Sequence, residues 1–164
     1  MCAYLTIKGF VTGDEPPDLT PDVRHHATLR IHSGSQLDFD EIEAALGVKA
    51  TRTWRRGEPV GMHGLASKGP PSKHDVWLYD APIDEHGELD GHVMHLRDLL
   101  VPRAEFMAEL RSHAVVSLLV GYSSNLDHGG FDISPRALEL FTILEVPLVV
   151  YVVVGPSDAD EEPD

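Results

Sequence analysis

The sequence predicts an α+β domain, a two-layer sandwich in which a mixed, mostly antiparallel sheet carries helices on one face. Two patterns support that expectation. The strand-like segments alternate apolar and polar residues, so each has one face to bury and one to leave polar. The helix-like segments are apolar along a single stripe. Elements with one buried side each assemble into two layers.

Read in order, residues 3–11 alternate, with Leu5, Ile7 and Val11 on one side and Tyr4, Thr6 and Lys8 on the other. They are expected to form a first, half-buried strand. Residues 13–22, GDEPPDLTPD, hold three prolines and four acids and read as a mobile acidic connection. Residues 26–32 alternate again, setting Ala27, Leu29 and Ile31 against His26, Thr28, Arg30 and His32. The next helix is punctuated at both ends: Asp38 is its N-cap with Glu41 three residues on, Phe39, Ile42 and Leu46 follow at helical spacing, and Gly47 stops it.

Residues 49–73 contain four glycines and three prolines and read mostly as a long loop. A strand is expected over 74–80, HDVWLYD, with Trp77 in the core. Leu89, Val93, Leu96 and Leu100 then recur every three or four residues, and Pro102 opens a second piece with Phe106, Met107 and Leu110, giving two helices or one broken helix. Val115 to Tyr122 reads as a strand, Asn125 to Gly130 as a turn, and Phe131 to Ile133 as a short returning strand. Ser134 before Pro135 caps a last helix carrying Ala137, Leu140, Phe141 and Leu144. The apolar run Val146 to Val154 is β-branched and reads as a buried final strand; a bilayer-spanning helix needs about 20 residues.

Length and charge narrow the function. The 164 residues suit one domain over 1–154, followed by a disordered acidic tail at 155–164. Thirteen Lys and Arg against 27 Asp and Glu give a net charge of −14, which argues against nucleic acid as a partner. Nine of those acids lie in the acidic connection and the tail, leaving 18 acids against 13 bases in the body. The one cysteine, Cys2, rules out an internal disulfide and a cysteine zinc site. The N-terminus lacks the charged and continuous apolar regions of a signal peptide, so a cytoplasmic location and no membrane contact are expected.

Against this acidic background, residues 49–73 carry Lys49, Arg52, Arg55, Arg56, Lys68 and Lys73 with Glu58 as their only acid, and Trp54 sits among them. Arginine pairs with carboxylate or phosphate in bidentate fashion, and an exposed tryptophan can anchor a partner. Arg52, Trp54, Arg55, Arg56, Lys68 and Lys73 are therefore the candidate partner- or anion-binding residues. The competing reading is a solvated loop whose arginines pair with Asp38, Asp40, Glu41 and Glu43, with Trp54 in the core.

Of the ten histidines, His92 and His95 share a helix face with Glu88 in reach, and His26 and His32 share the polar side of one strand. Neither pair has a recognised ligand spacing, and no metal is expected. Ser123 to His128 gathers hydroxyl, carboxylate and imidazole, but adjacent residues rarely reach triad geometry, and the composition suits a turn. With no nucleophile elbow, P-loop or dinucleotide fingerprint, neither a catalytic residue nor a cofactor is assigned, and an enzyme is not expected.

HATLRIHS, LDFDEIEAALGVKATRTWRRGEP, VWLYD, VSLLVGYSSNLDHGGFDISPRALEL and the final aliphatic strand together resemble the bacterial domain-of-unknown-function family 4279, over roughly residues 25–153. Its most specific parts here are Leu46-Gly47-Val48 with Thr51 and Gly57-Glu58-Pro59, then Trp77, then Gly130 to Ser134. The resemblance implies a compact α+β domain and brings no assigned activity, substrate or catalytic residue. This chain adds the segment 3–11, the acidic connection and the acidic tail.

Two functions are consistent with these features. The first is a small acidic domain that docks a protein partner, most concretely an immunity-type protein neutralising a toxin. The second is a domain that holds an anionic small molecule, or acts on one, beneath the basic segment 49–73. A small-molecule site needs a concavity of about 300–1,000 Å³ beside the arginines, whereas a docking site needs an exposed, rimmed patch. The last strand is either central or an edge that pairs with a second copy in a homodimer.

Overall fold

A computed structural model describes residues 21–61, 68–126 and 129–154. Its elements are β1 (Val23–Ser33), α1 (Phe39–Leu46), β2 (Arg52–Trp54), β3 (Pro59–Gly61), β4 (Lys68–Pro71), β5 (Asp75–Asp80), α2 (Leu89–Leu100), a 3₁₀ turn (Val101–Arg103), α3 (Ala104–Arg111), β6 (Val115–Ser124), α4 (Pro135–Leu144) and β7 (Leu148–Val154). The main sheet is mixed, in the order β2-β5-β1-β6-β7. β1 is central and antiparallel to both β5 and β6, while β7 runs parallel to β6 after a crossover through α4.

Helices lie against one face of this sheet. There the odd-numbered β1 residues Ala27, Leu29 and Ile31, with Trp77 of β5 and Val116, Leu118 and Val120 of β6, meet Ile42, Leu46, Leu96, Leu100, Met107 and Leu140. The caps are those expected. Asp38 accepts the Glu41 N–H at 3.0 Å, Gly47 adopts φ 72°, and Ser134 accepts the Ala137 N–H at 3.2 Å. Pro102 marks the break between α2 and α3.

Four expectations are corrected. Residues 49–73 are not mostly loop, because β2 extends the main sheet beside β5 and β3 pairs with β4. Pro59, Pro70 and Pro71 are tolerated there since the hairpin's strands pair only with each other and need no outer N–H. Phe131 to Ile133 forms no strand, because β6 already has β1 on one side and β7 on the other. Among the described residues β7 is an exposed edge rather than a buried strand. Arg52 and Arg55 pair with acids of β5 rather than with those of α1, and the Arg56 side chain donates to the Gly34 carbonyl. The expected strand at 3–11, the acidic connection up to residue 20 and the acidic tail lie outside the described residues, as do Asp127 and His128. Among the described residues no helix is long and apolar enough to cross a membrane.

Candidate functional site

Among the described residues no helix packs on the other sheet face, and the residues that β1 alternation turns toward it are His26, Thr28, Arg30 and His32. With Trp54 of β2, Val76 and Leu78 of β5, Leu119 of β6 and Val60 of the β3–β4 hairpin, they line a concavity of about 420 Å³. A depression of about 350 Å³ adjoins it through His32 and His74, and another of about 320 Å³ through His26 and Arg52. The open face is thus a trough with a half-buried aliphatic floor and imidazoles along its length.

Arg30 is its central cation. Its Nε donates to Ser117 Oγ at 3.1 Å on β6, which holds the guanidinium across the strand. Among the described residues no carboxylate pairs with it, so its terminal nitrogens keep their bidentate capacity for an anion. Burial lowers the pKa of His26 and of His32 below the usual 6.5, the latter with help from Arg30 and His74. At neutral pH these rings are uncharged, and Arg30 supplies positive charge to the floor.

The residues singled out in 49–73 have divided roles. Arg52 lines the trough but is tethered to Asp80 at 3.1 Å, and Asp80 also accepts the Thr28 hydroxyl at 2.6 Å. Trp54 is half-buried and forms part of the trough wall. Arg55 donates to Asp75 at 2.8 Å and to the Leu37 carbonyl at 2.6 Å, with its guanidinium 3.6 Å from the Phe39 ring centroid. The Arg56 backbone N–H donates to Asp75 at 2.8 Å, and its side chain to the Gly34 carbonyl at 2.7 Å. Lys68 stands in β4 and Lys73 is exposed beyond it. Arg55 and Arg56 therefore clamp the 55–58 turn to the β1–α1 connection, and Arg52 and Trp54 belong to the concave face.

Other candidates separate. His92 donates through Nε2 to the Asp84 carbonyl at 3.1 Å, while His95 Nε2 lies 3.0 Å from the Tyr79 hydroxyl, so the two do not converge. Among the described residues no group of three or more His, Cys, Asp or Glu side chains could hold a metal ion. Ser124 accepts the Leu126 N–H at 3.0 Å, the expected turn chemistry. Trp77 is fully buried.

Arg30 was missed as a site residue. Its signal was present in the polar register of β1, but which register stays uncovered depends on where the helices pack. Gly121, in the middle of β6, belongs to the same face: a Cβ there would run into the His26 ring. Gly121→Ala is expected to push that imidazole off the sheet while leaving the fold intact. A changed His26 ring resonance with an unchanged far-ultraviolet spectrum would show it; an unmoved resonance would refute the contact.

The family described as domain of unknown function DUF4279 matches residues 23–154, the whole described fold from β1 to β7. No curated protein and no solved structure matches the chain.

Proposed function

Since the chain belongs to the DUF4279 family, whose function is unknown, we propose that it is a binding module for a small anionic ligand with a flat apolar body, held on the open face of the sheet. The observation that carries this reading is Arg30, a cation that has no carboxylate partner among the described residues and lines a 420 Å³ concavity. The anionic group pairs with Arg30, and the apolar body lies along Trp54, Leu78 and Leu119. The size suits a small-molecule site. The internal ties of Arg55 and Arg56 weigh against a basic docking loop. No residue is given a catalytic role.

Aryl carboxylates and aryl sulfonates titrated into the full chain, followed by Trp54 fluorescence and amide shifts, test the proposal. Binding is expected to perturb Arg30, Trp54 and Leu78, and Arg30→Ala to weaken it about tenfold or more, the scale of a lost charge-assisted pair. Affinity for a sulfonate, whose own charge is constant, is expected to rise as pH falls below 6.5 and His26 and His32 gain protons. A flat pH profile would remove the histidines from the site. Recovery of a stoichiometric protein partner that aryl anions do not displace would instead favour protein docking of the immunity type.

A further inference from the structure

β7 is apolar on both faces, and the surface it presents is unlike the acidic remainder. Val150, Tyr151, Val152, Val153 and Val154 are 45% to 63% exposed, and residues 148–154 include no charge in a chain of net −14. Register with β6 puts Leu148, Val150 and Val152 on the helix side and Val149, Tyr151 and Val153 on the open side. Among the described residues no strand pairs with the outer edge. A long, apolar, unprotected edge is a template for another strand.

We propose that β7 is a self-association surface: two copies pair antiparallel through β7 about a twofold axis at Tyr151, joining two five-stranded sheets into one. Four observations converge on that occupant. First, the strand reads nearly the same in both directions about Tyr151, with Val150 opposite Val152, Val149 opposite Val153 and Leu148 opposite Val154. An isologous contact requires that self-complementarity, and β-branched pairs suit cross-strand packing.

Second, the backbone phase agrees. The Leu118 N–H donates to the Pro147 carbonyl at 3.2 Å. In a parallel ladder this turns the backbone groups of Val149, Tyr151 and Val153 toward β6 and those of Leu148, Val150, Val152 and Val154 outward. Pairing about Tyr151 sets outward residues opposite outward residues, so they exchange hydrogen bonds while Tyr151 meets its copy in a non-hydrogen-bonded pair.

Third, the β7 side chains are not the only exposed apolar surface available to an interface, which has to bury on the order of 1,000 Å². Leu138 and Ile143 of α4, the helix leading into β7, are a further 42% and 45% exposed. Fourth, five acids follow Val154 in the sequence. Antiparallel pairing sets the two copies of Val154, which these acids follow, at opposite ends of the seam, whereas parallel pairing would set them side by side.

Sedimentation velocity of the full chain at micromolar concentrations tests this. A species of twice 18.0 kDa is expected, and Val152→Lys is expected to weaken association at least tenfold with an unchanged circular dichroism spectrum. Register is read by cross-linking in a Cys2→Ser background. Tyr151→Cys is expected to couple to its own copy on mild oxidation, because a non-hydrogen-bonded pair spaces Cα atoms about 4.5 Å, inside disulfide range. Val150→Cys is not, since its copy lies about 8 Å away, beyond that range. A monomer at every concentration overturns the proposal. If deletion of residues 1–20 then produced a dimer, the edge would belong to residues 3–11 instead. A dimer that ignores Val152→Lys and leaves Tyr151→Cys uncoupled overturns it equally.

Discussion

Replacing Asp75 with alanine is expected to destabilise the fold by about 3 kcal/mol, the scale of breaking a buried hydrogen-bonded pair, and to lower the melting temperature by about 10 °C. Asp75 is 5% exposed at the start of β5. Its carboxylate accepts the Leu37 N–H at 3.1 Å, the Arg56 N–H at 2.8 Å and the Arg55 guanidinium at 2.8 Å. Three chain segments thus meet on one side chain: the entry to α1, the 55–58 turn and β5. Burial by itself would raise the Asp75 pKa, but these hydrogen bonds more than reverse it, and the group titrates below its usual 3.8. The stabilisation is therefore present above that pH and lost as pH falls through the lower folded-state value.

Asp75→Asn, which keeps one acceptor, is expected to lose less. Thermal denaturation at neutral pH checks both variants. A melting temperature for Asp75→Ala within about 2 °C of the parent would show that the clamp is dispensable. The same geometry bears on the basic segment. A variant combining Trp54→Ala with Arg55→Glu is expected to lose stability through the Arg55–Asp75 pair, so only the single Trp54→Ala change reports on the trough without disturbing the clamp.

Trp77→Ala is expected to cost about 4 kcal/mol, within the range for deleting a buried aromatic side chain. The ring is fully buried in β5, opposite Ile31 of β1 and Thr53 of β2, and stacked against Tyr79 with centroids 6.3 Å apart. No neighbouring strand can close the void without breaking its own ladder. Its indole Nε1 is buried without a hydrogen-bond partner among the described residues, so Trp77→Phe removes an unsatisfied donor along with some volume and is expected to cost much less. Urea titration with an unchanged m value separates the two. A loss below about 1 kcal/mol for Trp77→Ala would mean that the site collapses freely and that Trp77 does not organise the core.

The contrast between the two tryptophans shows where sequence reasoning stops. Trp77 lies within a strand long enough to display β-strand chemistry, and its place in the core was legible. Trp54 closes a strand of three residues, Arg52–Trp54, which is too short to show periodicity and exists because Thr53 meets Trp77 of β5. The partners of Arg52 and Arg55 are likewise distant, 28 and 20 residues along the chain. The nearby acids of α1 looked equally suitable from spacing alone. Phe131 to Ile133 had strand chemistry, but β6 had no edge free to receive it.

By itself the sequence determined what depends on near neighbours: the caps of α1 and α4, the break at Pro102, the alternation of β1, and hence an α+β sandwich with one polar sheet face. Tertiary structure decided which chain segments border β5 and, among the described residues, that Arg30 is left without a carboxylate partner on the face without helices and that β7 lies at an edge. An apolar β-branched run has the same composition in the centre of a sheet as at its margin. Strand order alone separates the two, and it is set by pairings between residues far apart in the chain.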